Sequence, residues 1–483
     1  SEKRYKMSKF DLTIIGGGVG GLVTASGASQ LGAKVALVEK EKLGGDCLHY
    51  GCVPTKSLTH TARIISLLRR SPDFGLNPVK VDFEFKKIMD HMKSIQEKIG
   101  KHDDPERFKK MGVKLFFGNG SFIDTNTFEV NGEKISSRKF LIATGSRPTS
   151  PSIPGMDMVD YLNNIKILSL SKLPESLLVI GAGPIGLEFA QIFSRFGSKV
   201  IILEKVGQIL SKEDRELADI LEEILKKDGI EIHTCSNVKK VEQSGNKKIV
   251  LAECAGTEKR FEADELLVAV GITPNTEGLN LDKIGVRSTR TGIVVNDTMK
   301  TTAPNIWACG DVTGMFPFTH MAEYEAGLVV SNAMFPLIKR KMDKLVVPWT
   351  TFTDPELARV GLIEGEAKKQ NDNIKIYRYP FKDHDRAVID GETEGLIKLV
   401  CDKKGKILGA SILGVGAGDL INEYIFAMKN NLPVQKISGT VHIYPTMGQI
   451  VKRGADQYYR EKLFSGWFPK LSKFLIKVGR LFK

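Results

Sequence analysis

Apolar runs and glycines recur along the chain in the same order. In FDLTIIGGGVGGLVTASGASQLGAKVALVEK, Leu12 to Ile15 read as a strand, the glycines after them as a turn, the next stretch as a helix, and the run ending at Glu39 as a second strand. The same order returns in LLVIGAGPIGLEFAQIFSRFGSKVIILEK, which closes at Glu204. Strands linked through a helix in this way predict parallel pairing with crossover helices. Between the two units, Pro54 fits the first turn of a helix through KSLTHTARIISLLRR. The pattern stays helical to about residue 111, with SIQEKIGKHDDPERFKKM predicted as one mostly solvated helix. VKLFFGNGSFIDTNTFEVNGEKISSRKFLIATGSRP then alternates like a small antiparallel sheet leading into a strand that ends at Ala143, Thr144 and Gly145. LLVAVGITPNT, with Gly271 at its turn, closes the second unit, and TTAPNIWACGDVTG is a short strand delivering Gly310 and Asp311.

Composition changes this picture little. The 483 residues allow about two to four domains, and 42% apolar with 26% charged residues is ordinary for a globular chain. No apolar run is long enough for a membrane span, and SEKRYKMSKF lacks the apolar core of a signal peptide, so a cytosolic body is expected. The net charge of +13 is concentrated at the ends: Lys3, Arg4, Lys6 and Lys9 against Glu2 give +3, and residues 461–483 give +5. The body is only mildly basic, which argues against nucleic acid as a partner.

Both glycine turns carry the G-x-G-x-x-G spacing, as Gly16, Gly18, Gly21 and as Gly181, Gly183, Gly186. Absent side chains there let the backbone approach a pyrophosphate at a helix N-terminus, and Glu39 and Glu204 stand where ribose hydroxyls are bound. Two such units imply two dinucleotides. An acid at Glu204 favours NADH over NADPH, although Lys205 beside it leaves NADP open.

GGDCLHYGCVPTK places Cys47 and Cys52 five positions apart, close enough in a helical segment for a disulfide that opens and closes in place. Lys56, one turn after Cys52, and the positive end of the following helix would favour a thiolate at Cys52. Cys235, Cys254, Cys309 and Cys401 form no local pattern and are expected to be reduced. Asp311, at a strand end, could bind a sugar-like hydroxyl chain or cap the next helix.

From about residue 10 to 460 the chain resembles the flavin-dependent pyridine nucleotide-disulfide oxidoreductases, the family of dihydrolipoamide dehydrogenase, glutathione reductase and mercuric reductase. The C-x4-C pair, both fingerprints, the A-T-G turn and the G-D pair occur in the family's order. The resemblance implies an α/β fold of two Rossmann-like dinucleotide-binding domains plus an α+β dimerisation domain. Its expected parts are residues 1–155 and 282–348 for FAD, 156–281 for NAD, 349–462 for the interface, and a basic amphipathic helix over 463–483. It further implies that Gly16, Gly18, Gly21, Glu39, Gly45, Asp46, Gly120, Thr144, Gly145, Asp311, Phe318, Thr319 and His320 serve FAD, while Gly181, Gly183, Gly186, Glu204 and Gly271 serve the nicotinamide nucleotide. Cys52 would be the thiolate facing the flavin and Cys47 the thiol that exchanges with substrate. Lys56 would lie near the flavin, paired with Glu188, and each site would be completed by the partner chain of a homodimer.

One motif departs from the family. Dihydrolipoamide dehydrogenases carry H-x-H-P-T-x-x-E, whose second histidine is the base, whereas this chain reads HIYPTMGQ with Tyr444 and Gln449 in the key places. A tyrosine, with a pKa near 10 against about 6.5 for histidine, is a donor at neutral pH and a poor base. His442, two positions earlier in a segment expected to be extended, could stand in for it. Mercuric reductase is the relative that serves its metal with tyrosines, but this chain has no cysteine beyond Cys401 to deliver a soft metal, and no resident metal site is expected.

In SGWFPKLSKFLIKVGRLFK, residues Trp467, Phe468, Leu471, Phe474, Leu475, Val478, Leu481 and Phe482 recur at helical spacing opposite Lys470, Lys473, Lys477, Arg480 and Lys483. Such a helix, over residues 466–483, suits a membrane surface, where it would bring the enzyme near a quinone; the alternative is that its apolar stripe packs on the dimer or on another protein. The leading expectation is electron flow from NADH through FAD and the cysteine pair to a disulfide on a small molecule or protein; a quinone or a metal ion is the alternative acceptor.

Overall fold

The computed structural model describes residues 9–335, 337–371, 373–465 and 468–480. Trp467, Leu481, Phe482 and Lys483, with Glu2, Lys3, Arg4 and Lys6, lie outside the described residues.

Both glycine-turn units build the elements their patterns predict. In the first, β1 (Leu12–Ile15), α1 (Val19–Gln30) and β2 (Val35–Glu39) form a crossover, with β1 pairing β2 in parallel from Leu12 opposite Val35. The full sheet is parallel and five-stranded, in the order Ile306–Ala308, Phe140–Ile142, β1, β2, Lys114–Phe117. Its inner strands are buried on both faces, as parallel sheets require. The second unit repeats the plan with Glu231–His233, Lys199–Leu203, Ser176–Ile180 and Glu265–Val268, again parallel. Each unit also carries a three-stranded antiparallel sheet, Gly120–Asp124 to Glu133–Ser136 in the first and Ser236–Ser244 to Thr257–Ala263 in the second.

Two expectations need correction. Lys114–Phe117 does not join the small antiparallel sheet; it pairs in parallel with β2, because the helix Pro105–Lys110 before it acts as a crossover. The stretch from residue 59 to 111 is not continuously helical. Beyond the helix Cys52–Arg69, Gly75 takes a φ of +77° and Pro78 offers no N–H, so the chain runs without regular structure until Phe85–Gly100. The solvated helix expected over 94–111 is likewise split at residues 101–104, where Asp104 Oδ1 accepts from the Glu106 N–H at 2.8 Å and starts a new helix.

The third part is a five-stranded antiparallel sheet, in the order Pro348–Thr351, Glu356–Gly361, Ile407–Gly414, Leu396–Asp402, Ile374–Pro380, backed by helices that include Gln449–Phe464. A buried cation fastens it to the second unit. Lys398, 4% exposed, reaches Asp214 and Glu216 at 2.8 Å and Glu364 at 2.7 Å.

Candidate active site

The cysteine segment folds as two helices, α2 (Gly45–His49) and α3 (Cys52–Arg69), broken at Gly51. The break puts Cys47 on the short helix and Cys52 at the first position of the long one, whose N-terminus has no side-chain cap. Cys52 therefore lies in the positive end of an 18-residue helix. Both cysteines are half-buried free thiols joined by a hydrogen bond.

That hydrogen bond splits the two sulfurs. It draws the Cys52 thiol down to about 6, helped by the Thr319 hydroxyl and the Lys56 charge against burial. The same bond, with burial, pushes Cys47 far above the ordinary thiol range. The pair thus holds one proton, on Cys47, and a thiolate at Cys52.

Three elements converge on Lys56. Its Nζ donates to Glu188 Oε2 at 2.8 Å and lies 4.5 Å from the centre of the Phe352 ring. Glu188, 5% exposed on the second unit's helix Pro184–Phe196, accepts through Oε1 from the Phe352 N–H at 2.9 Å. Thr319 Oγ1 lies 3.3 Å from Cys52 Sγ, so this residue, expected only as a cofactor contact, also meets the sulfur. Its neighbours turn elsewhere: Phe318 stacks on His320 and Trp349, and His320 Nε2 meets the Pro348 carbonyl at 2.7 Å.

Before Cys47, α1 starts behind Gly18 with no side chain capping its first turn, leaving N–H groups free to meet an anion. A Cβ on Gly21 would sit 1.9 Å from the Gly16 carbonyl oxygen, and one on Gly186 would sit 2.1 Å from that of Gly181. Gly183 opens the second helix in the same uncapped way. The acids hold these turns: Glu39 Oε2 accepts from the Gly17 N–H at 2.7 Å, and Glu204 Oε2 from the Ala182 N–H at 2.6 Å. Gly45 packs so closely on Gly18 that its Cβ would fall 2.6 Å from the Gly18 Cα. These groups fit a dinucleotide pyrophosphate at each turn.

Acids gather beyond. Solvent reaches Asp46, yet the protein around it pushes its carboxyl up to about 6, with Asp311 and Cys52 adding to the shift. Asp311, also raised by burial, accepts from Ser146 Oγ at 2.7 Å. Glu325 is fully buried, accepts the Gly310 N–H at 2.7 Å through Oε2, and leaves Oε1 without a hydrogen-bond partner among the described residues; burial raises it to about 7. Thr144 and Gly145 are tied to Asn275, through Thr144 Oγ1 to its carbonyl at 2.7 Å and its N–H to the Gly145 carbonyl at 2.9 Å. Gly271 accepts from the Thr149 N–H at 3.0 Å, and Gly120 sits in the small sheet opposite Val130, two residues from Gly118, which donates to the Glu39 carbonyl at 2.9 Å.

The residues of HIYPTMGQ share no hydrogen bond with this cluster within the described residues of one chain. Tyr444 is 61% exposed and bonds Asp385, which holds its phenol above the usual range. His442 Nε2 lies 3.0 Å from Glu423 and its Nδ1 3.0 Å from the Thr440 carbonyl. A histidine–carboxylate pair therefore exists, built on Glu423 rather than on a residue at position 449. Among the described residues no cluster of three or more His, Cys, Asp or Glu could hold a metal ion.

The sequence matches the pyridine nucleotide-disulphide oxidoreductase family over residues 10–326 and that family's dimerisation domain over residues 347–455. The chain belongs to this family. This oxidoreductase is 36% identical over 448 residues to a mercuric reductase of Lysinibacillus sphaericus, covering 92% of its own length and 82% of that protein. It is also 36% identical over 450 residues to a dihydrolipoyl dehydrogenase of Geobacillus stearothermophilus, covering 92% and 95%. In structure it is similar to the HOCl-induced flavoprotein disulfide reductase RclA of Escherichia coli, with a TM-score of 0.83, 30% identity and coverage of 92% and 99%. A Cu(II) complex of RclA aligns equally well, at a TM-score of 0.84 and 29% identity over 93% of this chain and 100% of that one. It is an FAD-dependent oxidoreductase of the pyridine nucleotide-disulfide class.

Proposed function

We propose that this oxidoreductase runs as a reductase, passing electrons from NADH to a disulfide acceptor through Cys47 and Cys52. The single observation behind this is the break at Gly51, which sets Cys47 on one helix and Cys52 at the uncapped N-terminus of the next, with the Thr319 hydroxyl 3.3 Å from Cys52 Sγ. Gly16, Gly18, Gly21, Glu39 and the Asp46 and Asp311 pair would hold FAD, which when bound supplies the two-electron carrier between nicotinamide and sulfur. Gly181, Gly183, Gly186 and Glu204 would hold the nucleotide, with Glu204 favouring NADH.

In the thiol exchange, the shared proton shifts from Cys47 to Cys52 and frees a Cys47 thiolate without an external base. That thiolate attacks one substrate sulfur, the substrate S–S bond breaks, and its first thiolate leaves with a proton drawn from solvent by way of the partner subunit's Tyr444. Cys52, deprotonated as the second substrate thiolate takes up its proton, attacks the Cys47 sulfur, re-forming the intramolecular disulfide and releasing the second thiol. The substrate gains two electrons and two protons; the cysteine pair is oxidised.

A protonated Tyr444 suits this direction. In a homodimer the partner subunit's Tyr444 would donate to the leaving sulfur, whereas oxidising a dithiol needs a base. A metal ion is the second reading, favoured by Tyr444 together with the mercuric reductase and Cu(II)-bound RclA relatives, since a soft metal between two thiolates needs no proton donor.

The test is an anaerobic NADH titration of the flavin-loaded protein, followed at the long-wavelength thiolate-to-flavin absorbance. A small disulfide should discharge that absorbance, and Cys47→Ser should stop turnover. Discharge by Hg(II) or Cu(II) alone selects the second reading; drainage only by a quinone, unaffected by Cys47→Ser, overturns both.

A further inference from the structure

The helix Phe468–Gly479 leaves large apolar side chains in water. Leu471 is 37% exposed, Phe474 62%, Leu475 56% and Ile476 58%, and the helix buries none of its residues. Phe464, at the end of the preceding helix, is 77% exposed. At helical spacing Leu471, Phe474, Leu475 and Val478 share one face, while Lys470, Lys473, Lys477 and Arg480 share the face opposite.

Charge selects what covers this face. No Asp or Glu occurs in residues 462–483, so the basic row has no counter-charge within its own segment. A second copy of a chain with a net charge of +13 brings no excess of acid to meet it. Anionic lipid supplies both halves of the match, acyl chains for the apolar face and headgroups for the cations. The helix is too short to cross a bilayer, and among the described residues no helix is long and apolar enough to do so.

We propose that Phe468–Gly479 lies flat in the interface of an anionic membrane, with Leu471, Phe474, Leu475 and Val478 among the acyl chains and its lysines at the headgroups. This holds whichever acceptor the cysteine pair serves.

The test is co-sedimentation of the full flavin-loaded chain with phosphatidylcholine vesicles with and without phosphatidylserine. Binding should require phosphatidylserine and weaken with salt. Lys473→Glu with Lys477→Glu should weaken it by roughly thirtyfold or more. Phe474→Asp with Leu475→Asp should abolish it while leaving NADH-driven flavin reduction unchanged. Failure to bind phosphatidylserine vesicles overturns the proposal. So does a fall in oligomer size caused by Phe474→Asp with Leu475→Asp in lipid-free buffer, which would mean that a second copy covers the face.

Discussion

Thr319 Oγ1 stands 3.3 Å from Cys52 Sγ, on a helix that begins more than 260 residues further along the chain. At neutral pH the hydroxyl donates to the thiolate. Thr319→Val should raise the alkylation midpoint of Cys52 from about 6 by about one pH unit, a charge-assisted hydrogen bond being worth about 1.5 kcal/mol. Iodoacetamide labelling of the reduced protein across pH reads this directly, and Thr319→Ser should restore the parent profile. An unmoved midpoint would remove the hydroxyl from thiolate control.

Lys56 and Glu188 act on Cys52 with opposite signs: the ammonium lowers the thiol and the carboxylate raises it. Lys56→Met should move the same labelling midpoint up, and Glu188→Gln should move it down. Lys56→Met also strands a carboxylate that is 5% exposed, so it should cost about 1–2 kcal/mol in urea unfolding. Shifts of the same sign would show that the pair acts only by holding the helices together.

Glu325 gives the protein a pH-dependent weakness. Its folded value is raised from 4.5 to about 7, so the stability it contributes is complete below pH 4.5 and is lost as pH rises through 7. Glu325→Gln keeps an acceptor for the Gly310 N–H and removes the titration. The variant should match the parent below pH 4.5 and exceed it by on the order of 2 kcal/mol above pH 7, measured by denaturant unfolding of the flavin-loaded protein.

Lys398 neutralises Asp214, Glu216 and Glu364 where the second unit meets the antiparallel sheet. Arg378 still pairs Glu216 and Glu364 at 2.9 Å, so Lys398→Met would leave chiefly Asp214 without a cation and should destabilise by about 3 kcal/mol. Melting followed separately by tryptophan fluorescence and flavin release should show the loss. A change below about 1 kcal/mol would mean water replaces the ammonium.

Local spacing makes much of the fold and the site readable from the order of residues alone. The two fingerprints are contiguous, and Gly21 and Gly186 collide with the carbonyls of glycines only five residues earlier, so the sequence itself holds both partners. The Cys47 and Cys52 pair is legible for the same reason. The contacts that tune it are not: Thr319 to Cys52 and Phe352 to Glu188 join residues that no periodicity relates, and neither does any periodicity relate Glu423 to His442. Lys114–Phe117 escapes a pattern reading because a short apolar run looks alike in a parallel and an antiparallel sheet.

The outer strand of the first sheet, Ile306–Ala308, is supplied by chain made after the whole second unit. The ribosome therefore releases a complete second unit before it releases a complete first one. Until Asp311 and Thr319 emerge, Phe140–Ile142 is an open edge and Cys52 lacks its hydroxyl partner. A nascent chain cut short before residue 306 would carry both cysteines and a finished second sheet while its first sheet still lacked a strand, so the order of synthesis makes the first unit the last to close.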